Sequence, residues 1–209
     1  MTGITKHTRK IILLSALTVV LCAAIVLICN SCFNRSKGEI SAEMLSDCEM
    51  PDFVTVDYID IGKARTAKPL NEINNIVIHY VGNPNTTAKQ NRSYFNNPDT
   101  TVCSHFIVGL DGEILQCVPL SEWSAASNHR NGDTISIEVC HPDETGKFNE
   151  ETYNSLVKLV AWLCNNSELC ENDLIRHYDV TGKQCPKYFV DYPDMWEQFK
   201  TDVGQQITK

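Results

Sequence analysis

The sequence predicts an α/β (α+β) domain, a small mixed central β-sheet flanked by helices, preceded by an N-terminal transmembrane helix. Three observations carry the domain. "NIVIHYVG" (75–82) is a β-branched run bounded by Asn and Gly-Asn-Pro, the pattern of a buried strand. "SHFIVGLDGEILQCVPL" (104–120) sets two apolar runs around Asp111-Gly112, a hairpin with its turn. From Asn149, "NEETYNSLVKLVAWLCNN" brings Tyr153, Leu156, Val157, Val160, Leu163 and Cys164 to helical spacing behind an acidic first turn, so one helix face seeks a core. Helices against a small mixed sheet make a domain of two or three layers.

The elements follow in chain order. Residues 1–10 carry Lys6, Arg9 and Lys10 and no acid, and the chain then runs uncharged from Ile11 to Cys29. At about 1.5 Å per residue such a run nearly crosses a hydrocarbon core of about 30 Å. Residues 11–30 are therefore expected to be a transmembrane anchor or signal segment, retained rather than cleaved because no clean small-residue cleavage site follows. Positive charge concentrates before the span, which puts residues 1–10 in the cytoplasm. The expected location is the cell membrane, single-pass with the folded domain outside; the alternative is secretion after signal cleavage. "ICNS" ahead of Cys32 makes a poor lipidation signal.

Residues 31–65 read as a polar, aperiodic tether with at most one short helix, and 66–209 as the folded domain. Within it, 87–97 reads as a short helix opened by Thr87. "DTISIEVCH" (133–141) reads as a strand in which Ile135, Ile137 and Val139 alternate against Ser136, Glu138 and Cys140. "YPDMWEQFKTDVGQQI" (192–207) is a second amphipathic helix on Trp196, Phe199, Val203 and Ile207.

Charge and cysteine content narrow the function. The chain has 18 Lys plus Arg against 26 Asp plus Glu, and residues 1–37 hold five of the bases and no acid, so the remainder is strongly acidic. Nucleic acid is an unfavourable partner for such a surface, and a monomer is expected. Of ten cysteines, Cys103, Cys117, Cys140, Cys164, Cys170 and Cys185 fall in the folded part. Cys164 with Cys170 is the most plausible local pair, though pairing is not legible in sequence.

Chemistry concentrates in "LIRHYDVTGKQCPKYF" (174–189), which holds His177, Lys183 and Cys185 within nine positions. Zinc takes imidazole nitrogen and thiolate sulfur at about 2.0 to 2.3 Å, and a catalytic site keeps three protein ligands with a fourth position open. His177 and Cys185 are two candidate ligands, brought together by a chain reversal at Thr181-Gly182. His79 is the best third, set by strand alternation with Val77 and Val81. The blander alternatives stand beside these: His79 as a satisfied core histidine, Cys185 as half of a disulfide, Glu138 as a solvated strand residue and Lys183 as a surface lysine. His105 and His141, at strand ends, either orient a ligand or are structural.

"NNIVIHYVGNP", "SHFIVGLDGEILQ", "ISIEVCHP" and "RHYDVTGKQCP", in this order and spacing, resemble the type 2 N-acetylmuramoyl-L-alanine amidases, the group that includes phage T7 lysozyme and the animal peptidoglycan recognition proteins. The resemblance covers roughly residues 70–200. It implies a Zn2+ site at His79, His177 and Cys185, with Glu138 and Lys183 assisting the chemistry, on a zinc-amidase or peptidoglycan recognition protein-like fold. It implies hydrolysis of the amide between N-acetylmuramic acid and L-alanine, with peptidoglycan (muropeptide) as partner. The loop "EWSAASNHRNGD" departs from the Trp-His-Ala-Gly stretch of many members; Asn128, His129 and Arg130 in it, together with His105, are the candidates for touching substrate. Ser104 stands where some members place a catalytic Tyr, which leaves that role to Glu138 alone. A rival from another class is a catalytically silent peptidoglycan-binding receptor of the same fold, and a third is a metal-free, disulfide-bonded adhesion domain.

Overall fold

The alternation in the apolar runs decides the centre of the molecule. The computed structural model describes residues 35–209. Its six-stranded sheet is built from β1 (Val54–Val56), β2 (Asn75–Tyr80), β3 (Phe106–Val108), β4 (Ile114–Gln116), β5 (Thr134–Val139) and β6 (Leu174–Arg176), in the order β1-β4-β3-β5-β2-β6. Only the β3–β4 pairing is antiparallel, and it is the hairpin expected at Asp111-Gly112, with Gly112 at φ +78 in the turn. The other pairings are parallel. Parallel strands are covered on both faces, and β2 accordingly buries Ile76, Val77, Ile78 and His79 in succession.

The helices are α1 (Lys37–Ser46), α2 (Ala88–Phe95), α3 (Glu150–Asn165), α4 (His177–Thr181), α5 (Lys187–Asp191) and α6 (Pro193–Gly204). Thr87 opens α2 with a reciprocal capping box to Gln90. Asn149 caps α3 by accepting from the Thr152 amide at 2.8 Å. The helix expected over 192–207 ends at Gly204, with α5 as a separate turn before it. Its Trp196, Phe199 and Val203 join Leu156, Val160 and Leu163 of α3 and the isoleucines of β2 and β5 in the larger apolar core. Each such side chain contributes about 1.5–3 kcal/mol when fully buried. A second, smaller core under α2 holds Ile59, Ala88, Phe95, Ile107 and Val118.

Three expectations are corrected. Residues 37–65 are part of the fold rather than a tether. Helix α1 buries Gly38, Ser41, Ala42 and Leu45, and the Gly38 carbonyl accepts from the Ile73 amide at 2.9 Å. A Cβ at Gly38 would lie 2.2 Å from Asn74 Oδ1, so a larger residue here would push the Asn74 side chain aside. Strand β1 then extends the sheet beside β4, and Ile59 is 1% exposed. The contact uses small residues, which leave little trace in hydrophobic periodicity.

The expected cell-membrane, single-pass location is also overturned. Among the described residues no helix is long and apolar enough to cross a membrane. The longest, α3, has 16 residues and reaches about 24 Å against the about 30 Å required. Segment 11–30, on which that expectation rested, lies outside the described residues. Finally, every cysteine among the described residues is a free thiol, Cys164 and Cys170 included. Cys164 points from α3 into the larger core, whereas Cys170 caps the short turn before β6.

Candidate metal centre

Three adjacent parallel strands assemble the site at their carboxyl ends, the usual position for a binding crevice in such sheets. His79 on β2 is in direct register with Glu138 on β5. On the other side Ile78 pairs with Arg176 of β6, so His177, the next residue, arrives beside His79. The two imidazole rings lie 4.6 Å apart between centroids. Helix α4 then ends at Gly182, φ +76, and the chain turns back to bring Cys185 under β2. The Cys185 carbonyl accepts from the Tyr178 amide at 2.8 Å, and its sulfur lies 3.9 Å from His79 Nδ1.

His79, His177 and Cys185 are all buried, and they offer one ligand atom each within 4.8 Å of one another. Ligands of a tetrahedral zinc stand about 3.3–3.8 Å apart given bond lengths of about 2.0–2.3 Å, a gap that small side-chain rotations close. The hydrogen bonding fits such an ion. His177 Nε2 donates to Asn128 Oδ1 at 2.8 Å, whereas its Nδ1 is buried with no partner. His79 Nε2 faces Ser127 Oγ at 3.4 Å, which leaves its Nδ1 toward Cys185 and toward Glu138 Oε1 at 3.9 Å. A buried polar atom without a partner is costly, and two histidines and a thiol converging in this way form a donor set suited to zinc.

Electrostatics favour the same protonation states. Burial, then His177 and Lys183, hold the His79 imidazole well below its usual range, and burial and Lys183 lower His177, so both rings are neutral. Burial, aided by Glu138, pushes the Cys185 thiol up to about 12. Without a cation it is a thiol; a coordinated ion deprotonates it outright. Burial raises the Glu138 carboxyl to about 8, partly offset by Lys183, although its side chain keeps 19% exposure. Glu138 Oε2 has no hydrogen-bond partner. Such a carboxyl, able to hold or release a proton near neutrality, suits general acid and base work.

The cleft over this centre has a volume of about 500 Å³. His79, Glu138, His177 and Lys183 line it together with Asn128, Phe95, Val102 and Thr181. The other candidates fall elsewhere. His129 is exposed on the short turn Asn128–Arg130 and does not line the cleft. Arg130 is tied to Asp133 through both carboxylate oxygens and to Asn75 Oδ1 at 2.6 Å, a structural clamp. His105 is corrected as a substrate contact: it is 0% exposed, takes the Ser136 amide on Nδ1 and donates from Nε2 to the Glu122 carbonyl at 2.9 Å. Sequence reasoning missed Ser127, whose partner His79 lies 48 residues away and leaves no local signal.

Comparison with known proteins adds an independent finding. A family model described as N-acetylmuramoyl-L-alanine amidase matches residues 69–188. The chain is 28% identical over 176 residues to N-acetylmuramoyl-L-alanine amidase BlyA of Bacillus subtilis (strain 168), covering 74% of this chain and 47% of that protein. N-acetylmuramoyl-L-alanine amidase XlyA of the same organism is 32% identical over 135 residues, covering 62% of this chain and 43% of that protein. The chain thus spans about half the length of the curated relatives it matches. The solved catalytic domain of XlyA superposes with a TM-score of 0.64 at 26% identity, over 72% of this chain and 99% of that one.

Proposed function

The chain belongs to the N-acetylmuramoyl-L-alanine amidase family, and from that premise we propose that it hydrolyses the amide joining N-acetylmuramic acid to the L-alanine of the peptidoglycan stem, with one Zn2+ held by His79, His177 and Cys185. The observation that carries the reading is the convergence of those three donors within 4.8 Å beside a carboxylate 3.9 Å from His79 Nδ1.

When bound, Zn2+ lowers the pKa of water from about 15.7 toward 7 and polarises the scissile carbonyl. Glu138 takes one proton from the attacking water and later delivers it to the amide nitrogen, which leaves as the free amine of L-alanine. The water oxygen stays on the N-acetylmuramic acid carboxyl carbon, so water is consumed and one C–N bond is broken. Lys183, exposed in the lining of the cleft, offsets the negative charge that develops on the carbonyl oxygen. Asn128, Phe95 and Val102 form the walls against which the muropeptide lies.

The test is elemental analysis of the purified chain beside Cys185→Ser and His79→Ala, with release of stem peptide from muropeptides followed on the same samples. One zinc per chain is expected in the wild type, lost with amide cleavage in both variants. A folded wild-type chain without zinc, or cleavage that survives in both variants, overturns the reading.

A further inference from the structure

Two consecutive residues of one loop hold the outer nitrogens of both candidate imidazole ligands. Asn128 Oδ1 lies 2.8 Å from His177 Nε2, and Ser127 Oγ lies 3.4 Å from His79 Nε2. A neutral imidazole carries a single N–H, and a carboxamide oxygen can only accept. Asn128 therefore keeps the proton of His177 on Nε2 and the lone pair on Nδ1, the buried nitrogen that has no partner. The loop is itself held in place. The Ser127 amide donates to Asn131 Oδ1 at 2.6 Å, the Arg130 amide to the Ser127 carbonyl at 3.0 Å, and Arg130 is clamped to Asp133 and Asn75.

The backbone at Asn128 is unusual, with φ +54. Asn is among the few residues with a side chain that occupy this region readily, and it also supplies the acceptor. Residue type, conformation and hydrogen bond thus meet in one position. Building on the zinc reading above, we propose that the 127–131 loop is an orienting clasp for the metal centre, in which Asn128 is a positioning residue that sets the tautomer and direction of His177. Partners of this kind on metal-bound histidines change metal affinity by about 10- to 100-fold when removed.

The experiment measures Zn2+ affinity of the full chain, stripped with a chelator and titrated against a chromophoric competitor, for wild type, Asn128→Gly and Asn128→Asp. Glycine tolerates φ +54 and deletes only the acceptor, so the metal-free variant should melt with the wild type. Asn128→Gly is expected to bind zinc about 10- to 100-fold more weakly, and Asn128→Asp, which restores an acceptor, to bind within a few-fold of wild type. Equal affinity in Asn128→Gly and wild type, or an Asn128→Asp as weak as the glycine variant, overturns the proposal. A wild-type chain that takes up no zinc overturns the metal reading itself, and this proposal with it.

Discussion

His105 and the pair His79 and His177 are equally withdrawn from water, at 0%, 1% and 6% exposure, yet their surroundings are opposite. Around His105 the polar network is closed: the Ser136 amide, the Glu122 carbonyl and the Ser124–Ser136 hydroxyl pair at 2.5 Å use the available donors and acceptors. Around His79 and His177 it is open, with His177 Nδ1 and Glu138 Oε2 buried and unmatched. The difference teaches how to sort buried histidines. One whose two nitrogens both meet backbone groups holds the fold, and one that leaves a lone pair facing other donors is arranged for something not supplied by the chain.

The largest effect that would sharpen this contrast lies on the open side. Glu138→Gln keeps the shape of the side chain and removes its basicity, and is expected to lower kcat by about 10²- to 10⁴-fold with zinc retained. Muropeptide turnover measured beside zinc content checks it, and unchanged kcat would remove Glu138 from the proton transfers.

Stability should answer to a different region. Phe199 is 0% exposed and stacks on both Phe189 and Trp196, at 5.4 and 5.5 Å between centroids, within the larger core. Phe199→Ala is expected to cost about 3–5 kcal/mol in urea unfolding. Zinc affinity of the molecules that remain folded should stay that of wild type. A variant that lost metal affinity first would show that the two regions are not separable.

The smallest expected effect, and the sharpest on the closed side, is in the pH dependence. Burial lowers His105 from 6.5 to about 4. The unfolded chain then binds the proton first as pH falls, so the neutral ring's contribution is complete above about pH 6.5 and is lost between 6.5 and about 4. A depression of that size corresponds to about 3 kcal/mol. Urea unfolding of the metal-stripped chain across that window should slope more steeply for wild type than for His105→Gln. Identical slopes would mean that His105 is not the group responsible.

Much of this was legible in the residues themselves. The strand at 75–80, the Asp111-Gly112 hairpin, the capped helix from Asn149 and the apolar face of 193–204 declare themselves through local periodicity, because backbone geometry imposes it on neighbours in sequence. The three candidate donors were legible as well: His79, His177 and Cys185, which the structure brings within 4.8 Å of one another, stand out as residue types that can bind zinc, and "RHYDVTGKQCP" is one of the four motifs that mark the family. What local pattern misjudged was the polar stretch 37–65. Its attachment runs through the Gly38–Asn74 approach, the Ser41 hydroxyl and a three-residue strand rather than an apolar stripe.

Sequence by itself thus determined the strongly periodic elements, the candidate ligand types and, through four motifs in order, the family, since each motif or element is read within a few positions of the chain. Only the tertiary structure decided which histidines meet. The order β5-β2-β6 sets Glu138, His79 and His177 side by side from segments up to about a hundred residues apart, and the same packing seals His105 behind Ser136. It also decided that Ser127 and Asn128 reach the two rings, because hydrogen bonds of that kind depend on ångström positions that no local spacing encodes.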